Sequence, residues 1–156
     1  MTKWYRAAQS EKIEYVFSGD GGLYVAGRWN HKGRKVIYCS QSISLCTLEW
    51  LSHNGLSVSG YSYYRFSIEI PDELILEIKI SELPKEWNCC PSTDKTRKIA
   101  EDILFSKNNY LAMAIPSVMI PEEKNLIINP IHNRYAEILK STKSLGLFTA
   151  PDRSSV

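Results

Sequence analysis

Several features are missing from this 156-residue chain. It has no apolar run near the ~18 residues that a bilayer-spanning helix requires. Its opening residues, Met1-Thr2-Lys3-Trp4-Tyr5-Arg6, hold no apolar signal-peptide core. Both absences predict a cytoplasmic protein with no membrane partner. It also lacks an excess of either charge, since 19 basic against 17 acidic side chains give a net charge of +2. Such balance gives no reason to expect direct contact with nucleic acid. No Gly-x-Gly-x-x-Gly follows a predicted strand, which argues against a Rossmann-type nucleotide site. Cysteine is scarce: Cys39, Cys46 and the adjacent Cys89-Cys90 fit no zinc template and read as reduced apolar filler. No metal is therefore expected.

What is present is the composition of a folded domain, 44% apolar and 23% charged. The length suits one core, so residues 1–156 are expected to form a single domain. Lys35 to Cys39 reads as a short strand, and Ser40 or Ser42 can cap a helix from about 43 to 53 that Asn54-Gly55 stops. Tyr64 to Ile70 and Leu76 to Ile80 alternate as strands, with a Pro71-Asp72-Glu73 turn between them. A helical stretch runs from Thr93 to about Lys107, Tyr110 to Ile115 and Leu126 to Ile128 look like buried strands, and Arg134 to Lys140 reads as a short helix. Leu147-Phe148 forms one more apolar patch. Strands and helices mix without βαβ regularity, which predicts an α+β fold with mixed or antiparallel sheet and short flanking helices.

Against this pattern a few polar residues stand out. Between Val36 and Ser52 the single charged residue is Glu49, on a helical face shared with Leu45 and Cys46. A carboxylate there costs several kcal/mol unless compensated. The nearest upstream cation that does not look solvated is Arg28, in Gly27-Arg28-Trp29-Asn30; Arg34 and Lys35 read as solvated. Either Arg28 and Glu49 form a structural ion pair, or both face an anionic ligand. Tyr38, between them in sequence, offers a ring for stacking. Ser117 is the lone hydroxyl of the uncharged, proline-interrupted stretch Ala114 to Pro121. It reads either as a backbone-satisfied serine ending an edge strand or as a ligand-facing group. Asn129 before Pro130 favours a turn, and His132 reads as a surface or packing histidine.

Together these residues resemble the RES-domain family, toxins of bacterial type II toxin–antitoxin systems, named for a characteristic arginine, glutamate and serine. The matching segments are Ser18-Gly19-Asp20-Gly21-Gly22 leading into Gly27-Arg28-Trp29-Asn30, then Val36-Ile37-Tyr38-Cys39-Ser40 and Leu48-Glu49. Ile115-Pro116-Ser117-Val118 and Asn125-Leu126-Ile127-Ile128-Asn129-Pro130-Ile131-His132 follow. The similarity runs from about Tyr5 to Asp152-Arg153, nearly the whole chain. Two segments depart from the family pattern: Ala100-Glu101-Asp102-Ile103 lacks a glycine and a tryptophan, and Ala150-Pro151-Asp152-Arg153-Ser154 is a weak version of the closing motif.

The resemblance implies a fold similar to ADP-ribosyltransferase toxins, NAD⁺ as substrate with no further cofactor, and neutralisation by an Xre-type helix-turn-helix antitoxin. The complex would be oligomeric, and any DNA contact would come from the antitoxin. It implies cleavage of the nicotinamide–ribose bond by water or phosphate, or alternatively transfer of ADP-ribose to a protein. In that scheme Glu49 steadies the oxocarbenium-like sugar and Arg28 holds the pyrophosphate or adjacent ribose. Tyr38 walls the nicotinamide, while Ser117 and Asn129 hydrogen-bond the nicotinamide side. A third reading, of another class, is a non-catalytic nucleotide-binding module.

Overall fold

The computed structural model describes residues 1–55, 61–151 and 153. Asp152 and Ser154, in the closing motif, lie outside the described residues. The elements run β1 (Thr2–Ala8), α1 (Ile13–Val16), α2 (Gly21–Tyr24), β2 (Ile37–Ser40), α3 (Ile43–Asn54), β3 (Ser62–Ile70), β4 (Ile75–Glu77), α4 (Asp94–Ala100), β5 (Ala112–Pro116), β6 (Lys124–Ile128), α5 (Tyr135–Leu139) and β7 (Lys143–Thr149). Among the described residues the strands form one seven-stranded sheet in the order β4-β5-β6-β2-β1-β3-β7. Only β4 and β5 pair in parallel; the other pairs are antiparallel. The fold is α+β with a mixed sheet, as the element pattern predicts. No helix among the described residues is long and apolar enough to cross a membrane.

Strand periodicity explains why the central strands are apolar throughout. Successive side chains point to opposite faces. Ala112, Ala114, Leu126 and Ile128 enter one core with Trp4, Phe17, Ile37, Phe66 and Ile68. Met113, Ile115 and Ile127 enter another with Trp29, Trp87, Leu104 and Phe105. Both faces are covered, so β5 is an inner strand between β4 and β6. The edge-strand expectation for this segment is thus corrected: Pro116 closes the strand at its end, where its missing N–H does no harm.

Other differences have local causes. β1 shows no clean alternation, yet it pairs with β3 over seven positions, from Thr2 opposite Ile70 to Ala8 opposite Tyr64. Arg6 sits within it because its guanidinium donates to the carbonyls of Val16 at 2.8 Å and Tyr38 at 2.9 Å. β7 joins the far side of β3, with Leu147 opposite Tyr64. The strand expected over Leu76 to Ile80 is β4 alone, followed by a 3₁₀ turn at Ile80–Glu82. After α4 the backbone passes into a π-helical turn at Glu101–Phe105, within the stretch expected as one helix. Arg34 is not solvated: it pairs with Glu101 and lies over the Phe105 ring at 5.2 Å. Cys39 and Cys46 are buried filler, with burial pushing both thiols up to about 12. Cys89 and Cys90 are exposed, which corrects that part of the filler reading. His132 is buried, its Nδ1 accepting the Arg134 N–H at 3.1 Å.

Candidate active site

The Glu49 carboxylate stands where α3 meets three strand ends. Ser42 caps α3, its hydroxyl accepting the Leu45 N–H at 3.1 Å and donating to Glu123 Oε1 at 2.7 Å. This fixes the helix start, and Leu45, Cys46 and Trp50 bury one side of it. Glu49, one turn beyond Leu45 and Cys46, is half-buried. Its Oε1 accepts two hydrogen bonds, from the Ser117 hydroxyl at 2.9 Å and from the Asn125 amide at 2.6 Å. Ser117 follows β5, Asn125 lies near the start of β6, and Ser40 ends β2. Ser40 donates to Asn125 Oδ1 at 2.8 Å. Among the described residues Glu49 forms no ion pair within 4.0 Å, and its Oε2 accepts no hydrogen bond from protein. Two hydrogen bonds to a charged group supply roughly 1.5–3 kcal/mol each, enough to hold a half-buried carboxylate without a cation.

Ser117 is fully buried and fully used. Its oxygen accepts the N–H groups of Met119 at 3.0 Å and Ile120 at 3.2 Å, and its proton goes to Glu49. The backbone-satisfied reading of this serine holds, and the ligand-facing one is corrected: its hydroxyl proton goes to Glu49, which leaves none for a ligand. Its partner is Glu49 itself.

Arg28 does not pair with Glu49, so the ion-pair alternative is set aside. Its Nη1 donates to the carbonyls of Trp87 at 2.9 Å and Cys89 at 2.7 Å, and Nη2 approaches Cys90 Sγ at 3.4 Å. Two carbonyls exhaust the protons of Nη1, leaving Nε and part of Nη2 for another acceptor. The backbone beneath is gripped from α4: Thr96 Oγ1 donates to Arg28 O at 2.6 Å and Arg97 Nε donates to Gly27 O at 2.8 Å. Gly27 is required by close approach, because a Cβ there would lie 2.6 Å from both Asn30 Oδ1 and Tyr38 Oη.

Tyr38 links the two ends. Its hydroxyl donates to Asn30 Oδ1 at 2.6 Å and accepts the Trp29 N–H at 3.2 Å. Burial raises its pKa well above the usual tyrosine value, opposed by the Trp29 N–H, Arg97 and Arg28. The phenol is neutral at physiological pH. Two residues along β2, on the same face, comes Ser40, which faces Asn125 and through it Glu49. Tyr38 thus lies between Trp29, the neighbour of Arg28, and the strand end that carries the Glu49 contacts.

Asn129 belongs elsewhere. It lies past the far end of β6 from Asn125, buried, with Nδ2 donating to Asn108 Oδ1 at 3.1 Å and Oδ1 accepting the Ile131 N–H at 3.1 Å. Four residues of strand span ~13 Å, so the asparagine expected at the nicotinamide side is corrected: Asn125 reaches Glu49 and Asn129 caps a turn. Sequence alone gives Ser40, Asn30, Thr96 and Arg97 no role at the site. Ser40, Asn30 and Asn125 lie in segments that match the family, a usable signal; nothing local marks Thr96. A shallow depression of about 420 Å³ lined by His31, Asp94, Lys95, Lys98, Glu101 and Asp102 contains none of these site residues.

The RES domain family matches residues 3–148. The chain belongs to this family. Toxin Res of Yersinia enterocolitica is 33% identical over 147 residues, covering 94% of this chain and 96% of that protein. The Prs ADP-ribosylating toxin of Sphingobium sp. is 32% identical over 118 residues, covering 74% of this chain and 73% of that protein. Among solved structures, the Mycobacterium tuberculosis MbcT–MbcA toxin–antitoxin complex holds a chain superposing with a TM-score of 0.62 at 16% identity, over 96% of this chain and 84% of that one. That likeness shows a shared fold. The family is the one expected from the Gly-Arg-Trp-Asn, Leu-Glu and Pro-Ser-Val segments.

Proposed function

We propose that this RES domain cleaves NAD⁺ between nicotinamide and ribose, with Glu49 as the residue that stabilises the sugar cation. The observation that carries the reading is the carboxylate itself. It is half-buried, held on one oxygen by two neutral donors, and without a donor on the other among the described residues. A positively charged partner would cancel the field that a developing oxocarbenium ion needs; neutral donors fix the geometry and leave the charge. The nicotinamide leaves without protonation because its ring nitrogen is already cationic, so one carboxylate suffices and no separate general acid is required. Arg28, with Nη1 anchored on the Trp87 and Cys89 carbonyls, would present its remaining N–H groups to the pyrophosphate or adjacent ribose. Tyr38, held neutral, would wall the nicotinamide. Water or inorganic phosphate would accept the ADP-ribosyl group. No metal or additional cofactor enters this scheme, and its setting is the cytoplasm.

The test is NAD⁺ turnover by the purified protein with product identification, wild type beside Glu49→Gln. Free nicotinamide appearing with ADP-ribose or its phosphorylated form, and lost in the variant, is the expected result. Equal turnover by Glu49→Gln would reject the assignment. Transfer of ADP-ribose to a protein is the second reading, favoured by the name of the Sphingobium relative; a modified protein in mass spectra, with little free ADP-ribose, would select it. Binding of NAD⁺ without consumption would select a non-catalytic module. We also propose an antitoxin partner of the Xre helix-turn-helix type, in an oligomeric complex whose DNA contact is the antitoxin's. It would silence the toxin by engaging the Arg28 guanidinium that would otherwise bind substrate. Full NAD⁺ cleavage by the saturated complex would argue against occlusion.

A further inference from the structure

We infer that Asn125 is a positioning residue for the reaction: its amide, oriented by Ser40, fixes Glu49 Oε1 so that Oε2 is presented to the substrate. This inference deepens the NAD⁺-cleavage reading and rests on it for its kinetic consequences.

The geometry assigns each atom of Asn125 one task. Nδ2 donates to Glu49 Oε1 at 2.6 Å, and Oδ1 accepts from the Ser40 hydroxyl at 2.8 Å. A flipped amide would set its oxygen against a carboxylate oxygen and lose the bond, so the carboxylate and the amide orient each other. Ser40 is buried and ends β2 opposite Asn125, the two forming a directly facing cross-strand pair. That register leaves the amide little room to swing. The second donor, Ser117, approaches the same oxygen from β5 with its own oxygen pinned by two backbone N–H groups. Two donors from neighbouring strands converge on Oε1. A carboxylate gripped at one oxygen by two fixed donors loses rotation about its terminal torsion, and the other oxygen then points in one direction only. Such fixing matters most in the transition state, where the charge on the sugar is largest, and least for binding the dinucleotide.

The experiment is steady-state NAD⁺ cleavage by full-length wild type, Asn125→Ala, Asn125→Asp and Ser40→Ala, with melting temperatures and ¹³C NMR of the Glu49 carboxyl carbon. Asn125→Ala is expected to lower kcat on the order of 10–100-fold, as loss of an outer partner does at other functional ligands, with KM changed less than about threefold. Asn125→Asp keeps the shape and withdraws the donor, so its kcat falls at least as far. It stands in for the alanine variant should that one fail to fold. Ser40→Ala should lower kcat less than either. An Asn125→Asp or Asn125→Ala enzyme with kcat within twofold of wild type would overturn the inference, as would a rise in KM alone. Should the wild type leave NAD⁺ intact, the functional reading fails by itself. The positioning claim is then judged by the carboxyl resonance, which must shift in Asn125→Ala; an unchanged signal overturns it.

Discussion

The two ends of this site are built in opposite ways. The acid end is made from regular structure: α3 delivers Glu49, and the ends of β2, β5 and β6 deliver Ser40, Ser117 and Asn125. The cationic end is made from loops, with the Arg28 guanidinium held on the Trp87–Cys90 segment while Thr96 and Arg97 of α4 grip the backbone carbonyls of Arg28 and Gly27. Under the proposed reaction, the charge that would act on a transition state is fixed by sheet register, where errors of position are small. The charge that would grip a dinucleotide is fixed by carbonyls of a connecting segment. The difference teaches that substitutions at the acid end should act on turnover and those at the cationic end on affinity.

The strongest way to break this division is at Glu49. Glu49→Gln keeps an oxygen to accept from Ser117 and Asn125 but replaces the free oxygen with an uncharged amide. A fall in kcat on the order of 10²–10³ with KM nearly unchanged is expected from steady-state kinetics. Next comes Arg28→Lys, in which a point charge cannot reach two carbonyls and a ligand together. The expected result is a rise in the NAD⁺ KM of about tenfold or more, corresponding to roughly one charge-assisted hydrogen bond. Should Arg28→Lys lower kcat as much as Glu49→Gln with KM constant, the two ends would not divide the work. Smaller still is Thr96→Val. Thr96 is buried and its hydroxyl donates to Arg28 O. Its loss should cost about 1 kcal/mol, a melting-temperature drop of about 2–4 °C, with a several-fold rise in KM. The smallest effect lies outside the site, at His132. Burial, with a lesser contribution from Arg134, holds its imidazole below the usual histidine pKa. A proton on it therefore favours the unfolded chain. Its stabilisation is present above pH ~6.5 and is lost as pH falls through the depressed folded value. His132→Asn, able to cap the Arg134 N–H without titrating, should flatten the melting-temperature decline that sets in as pH falls below ~6.5. An unchanged slope would show that other groups carry it.

Much of the acid end was legible in sequence. Glu49 stood out because a lone carboxylate shared a helical face with Leu45 and Cys46, and α3 keeps those boundaries closely, from Ser42 to Gly55. Ser117 stood out as a lone hydroxyl in an uncharged stretch. Sequence put the site role on Asn129 rather than Asn125, because both lie in one motif four residues apart and only the register of β6 against β2 separates them. β1 escaped notice because Arg6 and the small residues beside it break its alternation; its partner β3 supplies the pairing. Thr96 and Arg97 carry no local mark for the same kind of reason, since they serve the carbonyls of Arg28 and Gly27 from 68 and 70 positions away along the chain.

Composition, periodicity and local chemistry determined that this chain folds as α+β and that an arginine, a tyrosine, a glutamate and a serine are its unusual residues. Those properties are set by each residue and its near neighbours. Only the tertiary structure decided that Arg28 and Glu49 form no ion pair, that no described residue donates to the second oxygen of the glutamate, and that Asn125 rather than Asn129 faces it. Those outcomes depend on which strand ends meet, and strand register is a property of the assembled sheet.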